Sequence, residues 1–409
     1  MKDGIMKAEK YLRRFIYWFA IAALVGAVTG IVGALFHKAI EFATETRKAN
    51  LWLVYLLPVG GIVISLLYKL SKEQLSTNTV IDCIREKHSS SPLLAPLIFI
   101  GTFITHLFGG SAGREGAALQ IGGGIGSEIG KLLKLDKEKM SVIIVCGMSG
   151  AFSAIFTTPV TAAIFALEIV AVGHIRYFEL MPCIVSSAIA YIISLSMGNG
   201  RLFYSTVVFP EISIMAFIKI ALLSILCALI SVLFCVTLST AEKLMRKKFK
   251  SDYTRAFVGG LLIITLTLIV GNDDYNGAGM DVIKLALAGK AVYYAFILKL
   301  IFTAVTMASG FRGGEIVPAL FVGATFGVSA SFLFGIDPSF AAAIGMVCIF
   351  CGISNCPLAS LMLGVELFGS EGLIFYAMAS GVSYIMSGCF SLYNSQRIVY
   401  SKVGVNKNN

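Results

Sequence analysis

The chain has 409 residues, of which 57% are hydrophobic and 14% are charged. Soluble domains average roughly 45–50% apolar and about 25% charged residues, so this composition excludes an ordinary soluble domain and predicts an integral membrane protein. The net charge of +10 is compatible with nucleic-acid binding, but the basic residues cluster beside apolar runs, as topology markers do, and we expect no nucleic-acid partner.

Apolar runs suited to a bilayer recur along the chain, and membrane lipid is therefore an expected partner. A helical crossing takes about 20 residues. The clearest candidate spans are Ile16–Leu35, Leu51–Leu70, Ile214–Leu238 and Ala256–Val270, with shorter runs at Val142–Phe156 and Ala341–Ile353.

Basic residues predict the orientation of these spans. Lys7, Lys10, Arg13 and Arg14 precede the first run. Within the segment Glu242–Arg255, which we interpret as a loop, a second basic cluster consists of Lys243, Arg246, Lys247, Lys248 and Lys250. The positive-inside rule places both segments in the cytoplasm. No small-residue cleavage site follows the first run, so we expect a retained span in the cell (inner) membrane with a cytoplasmic N-terminus.

A glycine-rich segment, Gly109–Gly123, carries Arg114 and Glu115 between two apolar stretches. An acid at membrane depth is a functional-site hypothesis by default. Backbone N–H groups exposed at a helix start attract anions, so the segment predicts a site that handles anions and protons together. Adjacent residues point apart on a helix, and we therefore expect no direct pair between these two side chains.

The chain repeats itself, and this predicts two halves. Gly147-Met148 recurs as Gly345-Met346, Pro159 as Pro357 and Glu168 as Glu366, and each copy follows a glycine-rich segment with an acid, Glu115 or Glu315. Two membrane halves with Gly/Pro-broken segments in matching places indicate a transporter site at the midplane where the repeats meet. Parallel and inverted repeats both remain open, and Glu168 and Glu366 are expected to be capped or paired structural acids.

We expect one transmembrane domain over residues 1–409, with repeat halves at about 15–200 and 210–402, and no cytosolic regulatory domain. The connection between the halves is expected to include Glu242–Arg255. The cysteines are scattered, and Cys348 and Cys351 sit mid-span, where packing is the expected role. No nucleophile–base pair or metal-ligand spacing is visible, so we expect no enzyme activity, metal or cofactor.

Four motifs, in order, resemble the CLC family of chloride channels and proton-coupled anion antiporters. They are Gly113-Arg-Glu-Gly with Leu119-Gln-Ile-Gly-Gly-Gly-Ile-Gly, Phe156-Thr-Thr-Pro-Val with Phe165-Ala-Leu-Glu, Phe311-Arg-Gly-Gly-Glu-Ile-Val-Pro, and Ser391-Leu-Tyr-Asn-Ser. The resemblance implies an all-α integral membrane protein whose broken helices meet at a midplane anion site, assembled as a homodimer with one pathway in each subunit.

The resemblance also implies the site residues. Glu115 corresponds to the gating glutamate, whose ionised carboxylate mimics an anion, and Tyr393 to the tyrosine that offers its hydroxyl to the central anion. The remaining expected anion-binding residues are Ser76, Thr77, Asn78, Gly113, Arg114, Gly116, Gly314, Glu315, Ile316 and Val317. Glu315 is open to two interpretations, a helix N-terminal acid or a proton acceptor, and Arg114 is favoured as a structural partner.

Departures from the chloride motifs indicate the subclass. The first motif contains Asn78 and no proline, and the third contains Glu315, as in the fluoride-exporting branch of the family. Val317 departs from that branch, and Ile169 stands where chloride antiporters often have an inner glutamate. We therefore expect a halide/proton antiporter that exports fluoride, with a chloride/proton antiporter or a passive chloride channel as the alternatives.

Overall fold

The computed structural model describes residues 2–71 and 76–402, and it is helical throughout apart from short connections and one small sheet. The helices are α1 (Lys2–Ala49), α2 (Leu57–Tyr68), α3 (Thr77–Glu86), α4 (Leu94–Leu107), α5 (Glu115–Leu132), α6 (Lys137–Phe156), α7 (Pro159–Glu168), α8 (Leu180–Ser196), α9 (Ile214–Lys248), α10 (Asp252–Val270), α11 (Met280–Leu287), α12 (Ala295–Ala308), α13 (Ile316–Phe334), α14 (Pro338–Ser354), α15 (Pro357–Phe368) and α16 (Leu373–Met386). Short 3-10 helices lie at Leu51–Leu56, Tyr177–Glu179 and Ser370–Gly372. Strands β1 (Ala171–Val172) and β2 (Arg397–Ile398) pair in parallel.

Seven helical segments of the described chain are long and apolar enough to cross a membrane. They differ in their surroundings. The apolar window of α6 is 94% buried inside the protein, whereas that of α10 is 28% buried. Because lipid-facing helices keep an apolar surface exposed, α10 belongs to the periphery and α6 to the centre.

Close glycine contacts hold the central helices together in the same way in both halves. A Cβ on Gly147 of α6 would collide with the carbonyl oxygen of Gly122 in α5, and a Cβ on Gly345 of α14 would collide with that of Gly323 in α13. Small residues let helix backbones approach closely in a membrane, where packing replaces the hydrophobic effect as the source of association.

Two acids at matching repeat positions join the halves. The Glu168 carboxylate, at the end of α7, accepts hydrogen bonds from Leu358 N (3.2 Å) and Ala359 N (2.8 Å) in the first turn of α15. Glu366 of α15 accepts in turn from Val160 N (3.0 Å) and Thr161 N (2.7 Å) of α7. Helix N-termini have unsatisfied N–H groups and favour negative charge, so both acids are structural caps, as expected.

The basic segment Glu242–Arg255 is not the connection between the halves, and that expectation was wrong. Its residues through Lys248 continue α9, and α10 begins at Asp252. A helix of 35 residues rises about 52 Å and outreaches a hydrocarbon core of about 30 Å, which places its basic end in the headgroup region. Basic residues are also stabilised at a helix C-terminus. The connection from α8 to α9 instead runs over residues 197–213.

Candidate functional site

The candidate site lies where α5 and α13 begin, because the N-terminal ends of these two helices meet there. Gly113 N donates to Gly314 O, and Gly314 N donates to Gly113 O, each at 2.7 Å. This bridge is antiparallel, so the two glycine-rich segments run in opposite directions where they meet. Glycine is required at position 314, since a Cβ there would collide with the backbone nitrogen of Gly116.

Glu115 is the first residue of α5 and its side chain turns back over the start of the helix. The residue is 3% exposed, and its Oε2 accepts a hydrogen bond from Arg114 N at 2.9 Å. Side chains on a helix tilt toward its N-terminus, which brings the carboxylate onto the unsatisfied amides there. An acid therefore stands where the helix start would otherwise attract an anion.

Arg114 pairs directly with Glu115, which corrects the expectation that adjacent residues would not. Its Nε lies 3.5 Å from Glu115 Oε1. The geometric rule applies to residues inside a helix, whereas Arg114 is the N-cap residue, at φ −112° and ψ −15°. Because Glu115 folds back toward the N-terminus, the two side chains meet beside the turn. Arg114 is thus a structural partner of Glu115, which is the candidate functional acid.

A narrow, mostly apolar cavity opens at Glu115. The volume open to a water-sized sphere is about 10 Å³, which is close to the minimum that one water needs. Its walls come from both halves of the chain and from the connection between them. The lining residues are Glu115, Phe156, Leu202, Tyr204, Met280, Ile283, Val317, Leu320, Met346 and Leu367.

The third motif stands on the opposite side of the junction. Glu315 is the N-cap residue of α13, half-buried, and Ile316 and Val317 are buried in its first turn. Glu315 Oε2 lies 3.4 Å from the point where a Cβ on Gly116 would stand. The structure therefore brings two carboxyl groups, Glu115 and Glu315, to the meeting point of two helix N-termini.

The first motif forms the start of α3. The Ser76 hydroxyl caps the helix by accepting from Thr79 N at 3.2 Å. Thr77 Oγ1 accepts from Gln120 Nε2 at 3.0 Å, so its own proton remains available for another acceptor. Asn78 Oδ1 accepts from Ser395 N at 3.0 Å, which leaves the Nδ2 group as the donor that Asn78 can offer.

Gln120 was not singled out from the sequence, although it connects two of the motifs. It lies on α5, is buried, and holds the Thr77 hydroxyl. The signal was present, because Gln120 is a polar residue on a glycine-rich helix with otherwise apolar neighbours.

Tyr393 follows α16 in an irregular segment. Its side chain is 3% exposed, and its hydroxyl has no hydrogen-bond partner among the described residues. The backbone around it is fixed, since Leu392 N donates to Ile353 O (2.9 Å) and Tyr393 N donates to Ser391 Oγ (3.1 Å). A buried hydroxyl without a partner is unfavourable, and an anion beside it would accept its proton.

The groups in this arrangement are suited to bind an anion and a proton in alternation. Amides and hydroxyls supply donors for an anion, and the ionised Glu115 carboxylate competes for the same helix start. A protonated carboxyl carries no charge and is a weaker acceptor, so protonation favours its replacement by an anion. No group of His, Cys, Asp and Glu suited to a metal ion occurs in the part of the chain that the structure describes.

Comparisons with known proteins agree with these motifs. The voltage gated chloride channel family matches residues 60–388. A chloride/fluoride channel protein of Pseudomonas syringae pv. tomato is 32% identical over 394 residues, which are 94% of this chain and 87% of that protein. The H(+)/Cl(-) exchange transporter ClcA of Vibrio vulnificus is 24% identical over 412 residues, covering 91% of this chain and 86% of the transporter.

Solved structures show the same fold. The crystal structure of a CLC-type fluoride/proton antiporter superposes with a TM-score of 0.90 at 28% identity, covering 94% of this chain and 98% of that one. A slow cyanobacterial Cl-/H+ antiporter superposes with a TM-score of 0.79 at 20% identity, covering 90% of this chain and 94% of that one. The all-α integral membrane fold predicted from the sequence is therefore confirmed.

Proposed function

We propose that this chain, which belongs to the voltage-gated chloride channel family, is a membrane antiporter that exports fluoride in exchange for protons. The observation that carries the exchange is the position of Glu115. Its carboxylate lies against Arg114 N at the start of α5, beside the junction with α13. Because one carboxyl group can both carry a proton and occupy an anion's place, the same residue couples the two ions.

The polar groups at the site support fluoride as the anion. Fluoride is small and strongly hydrated, so a site must replace its water with donors, since an uncompensated buried charge is very costly. Asn78 Nδ2, the Thr77 hydroxyl, the Tyr393 hydroxyl and the amides at the start of α13 are available for this role. A chloride/fluoride channel protein is among the relatives, and a fluoride/proton antiporter is among the structural neighbours.

Glu315 fits this proposal in one protonation state. An ionised Glu315 would repel an anion, whereas a protonated one donates a hydrogen bond. We infer that it is protonated when fluoride is bound, which gives the anion path a second link to proton movement. Gly113, Gly116 and Gly314 let the backbone reach the ion, and Ile316 and Val317 exclude water around it.

A chloride/proton antiporter is the second candidate. Val317 provides no hydroxyl at the start of α13, and a relative bears the name H(+)/Cl(-) exchange transporter. A passive chloride channel is the third, and a shift of reversal potential with pH separates it from either antiporter.

Purified protein in liposomes tests the proposal. Liposomes loaded with fluoride or with chloride are placed in an ion-poor buffer, and anion release and internal pH are recorded together. We expect fluoride release to exceed chloride release and to drive protons inward. Chloride release as fast as fluoride release would favour the chloride/proton antiporter. Anion release without proton movement would favour the passive channel.

The Glu315→Gln variant tests the third motif, with Arg312→Gln as the comparison. Arg312 lies three residues earlier and stacks its guanidinium on the Tyr68 ring at 3.9 Å. We expect Glu315→Gln to impair fluoride release more than Arg312→Gln, because an amide cannot deliver a proton. Equal impairment by the two variants would assign Glu315 a structural role only.

The proposal extends to assembly and location. We infer a homodimer in which each subunit completes its own pathway, embedded in the lipid of the cell membrane. The basic residues in the N-terminal part of α1 and at the end of α9 support a cytoplasmic N-terminus. Cross-linking in native membranes and protease access to the N-terminus test these two points.

A further inference from the structure

One face of α12 is polar although the helix lies among apolar neighbours. Lys299, Thr303 and Thr306 are spaced by four and three residues, which places them on one side of a helix. Thr303 Oγ1 lies 3.1 Å from Ser111 Oγ, and Thr306 Oγ1 accepts from Ser111 N at 3.0 Å. This face therefore holds the segment that leads into α5.

Lys299 begins this polar face and is completely buried, with 0% exposure. Its ammonium donates to two backbone carbonyls of one turn, Tyr275 O at 3.1 Å and Gly277 O at 2.7 Å. It also lies 5.2 Å from the centre of the Phe321 ring. An isolated buried ammonium is very unfavourable, so these contacts bind the turn firmly to α12.

The same turn holds the glycines that precede the Glu115 segment. Asn276 Nδ2 donates to Gly109 O at 2.7 Å, and Gly277 N donates to Gly110 O at 3.1 Å. A second buried cation supports the turn from α1, since Arg47 Nη1 pairs with Asp273 Oδ2 at 2.8 Å.

The turn also continues into the wall of the cavity. Helix α11 begins at Met280, three residues after Gly277, and both Met280 and Ile283 line the cavity at Glu115. A displacement of the turn would therefore move one wall of the cavity and, through Gly109 and Gly110, the start of α5.

We propose that Lys299 is a positioning residue for the Glu115 site. Its ammonium fixes the turn Tyr275–Gly277, and this turn fixes both the entry to α5 and the α11 wall. Lys299 is not among the residues that line the cavity. It therefore acts through the turn and α11, which set the position of Glu115 while the carboxyl binds a proton or gives way to an anion. The effect on exchange rests on the proposed function, whereas the structural link does not.

Four variants test this role. Lys299→Met keeps the apolar stem and removes the donors, and Lys299→Arg restores a cation with several donors. Asn276→Ala breaks the bond to Gly109 without changing a charge. The matched control is Lys219→Met, because Lys219 Nζ also donates to a backbone carbonyl, Gly335 O at 3.2 Å, at an exposed position on α9.

Two measurements are made on each variant. Hydrogen–deuterium exchange of peptides that cover residues 105–115 and 275–287 reports the link itself. The number of protons moved per fluoride in liposomes reports the coupling. We expect Lys299→Met to accelerate hydrogen–deuterium exchange in both peptides by about tenfold, which corresponds to about 1.4 kcal/mol. We also expect it to lower the proton-to-fluoride ratio.

Rescue separates positioning from general stability. The proposal holds if Lys299→Arg restores the ratio, Asn276→Ala lowers it, and Lys219→Met leaves it at the wild-type value. The proposal is overturned if Lys299→Met folds and shows wild-type hydrogen–deuterium exchange and a wild-type proton-to-fluoride ratio. If Lys299→Met does not fold, an unchanged ratio in Asn276→Ala overturns it. If the wild-type protein moves no fluoride, the proposed function fails, and hydrogen exchange still decides whether the link exists.

Discussion

In the proposed mechanism, the Glu115 side chain has two roles because of where its helix begins. Its carboxylate accepts from Arg114 N and pairs with Arg114 Nε, so it resembles an anion bound at a helix N-terminus. A neutral carboxyl has a weaker hold on the same groups. In the proposed mechanism, the carboxyl group therefore leaves its place at the helix start when it takes up a proton.

Glu115→Gln removes the proton carrier and keeps the shape of the side chain. We expect proton movement to disappear, with anion flow either uncoupled or abolished, because a glutamine cannot take up the proton. Parallel recording of fluoride and pH in liposomes measures both. Glu128→Gln is the control, since Glu128 lies on the same helix, is partly exposed and pairs with Lys131 at 2.7 Å. Proton-driven fluoride movement that persists in Glu115→Gln contradicts the assignment.

Tyr393→Phe removes a hydroxyl that has no partner among the described residues. We expect the fluoride concentration at half-maximal flux to rise about tenfold, because a hydrogen bond to a charged group contributes about 1.5–3 kcal/mol. Thermal stability in detergent should be unchanged. Tyr376→Phe is the matched control, since the Tyr376 hydroxyl is also buried and without a partner there but lies on α16. Equal effects of the two variants would remove Tyr393 from the anion site.

At the scale of the elements, the helices are held by glycine contacts and by exchanged caps. The α5–α6 and α13–α14 pairs each approach through two glycines, and Glu168 and Glu366 each cap a helix of the other half. The glycine contacts thus hold α5 against α6 and α13 against α14, and the two acids join α7 to α15.

Gly147→Ala tests the close approach of α5 and α6. The added Cβ meets the backbone of Gly122, which cannot move aside as a flexible side chain can, and we expect a loss of about 1–3 kcal/mol in stability. Gly381→Ala in α16 is the control, because no atom lies within 4 Å of its Cβ position and alanine is the better helix former. The melting temperature in detergent should fall for the first variant only. A fall of equal size in both would refute the packing argument.

At the scale of the whole molecule, the residues proposed for the site come from both halves of one chain. Helix α5 comes from the first half, α13 from the second, and the Asn78–Ser395 bond joins α3 to the Tyr393 segment across 317 positions. This placement in one chain is the basis for the proposal of independent pathways in a dimer.

A linked dimer with one Glu115→Gln subunit tests this independence. We expect it to keep about half of the wild-type proton-coupled flux, because the unchanged subunit retains all of its own residues. The linked wild-type dimer and the linked double variant provide the two limits. Complete loss of coupled flux in the mixed dimer would show that the subunits depend on each other.

The sequence alone determined the class of the protein and singled out Glu115 as the candidate acid. Composition predicts membrane helices, the repeated Gly-Met, Pro and Glu positions predict two similar halves, and an acid in a glycine-rich apolar setting identifies Glu115. The family match confirms the resemblance carried by the motifs. These features were readable because each depends on local composition or on a short motif.

Only the tertiary structure decided how these parts meet. The antiparallel bridge between Gly113 and Gly314 brings the two glycine-rich segments together. The Arg114–Glu115 pair reverses an expectation that was based on ideal helix geometry. The contacts of Gln120 with Thr77 and of Lys299 with Gly277 join residues on different helices. Such contacts follow from how helices pack, and local periodicity carries no information about which distant turn a buried donor will reach.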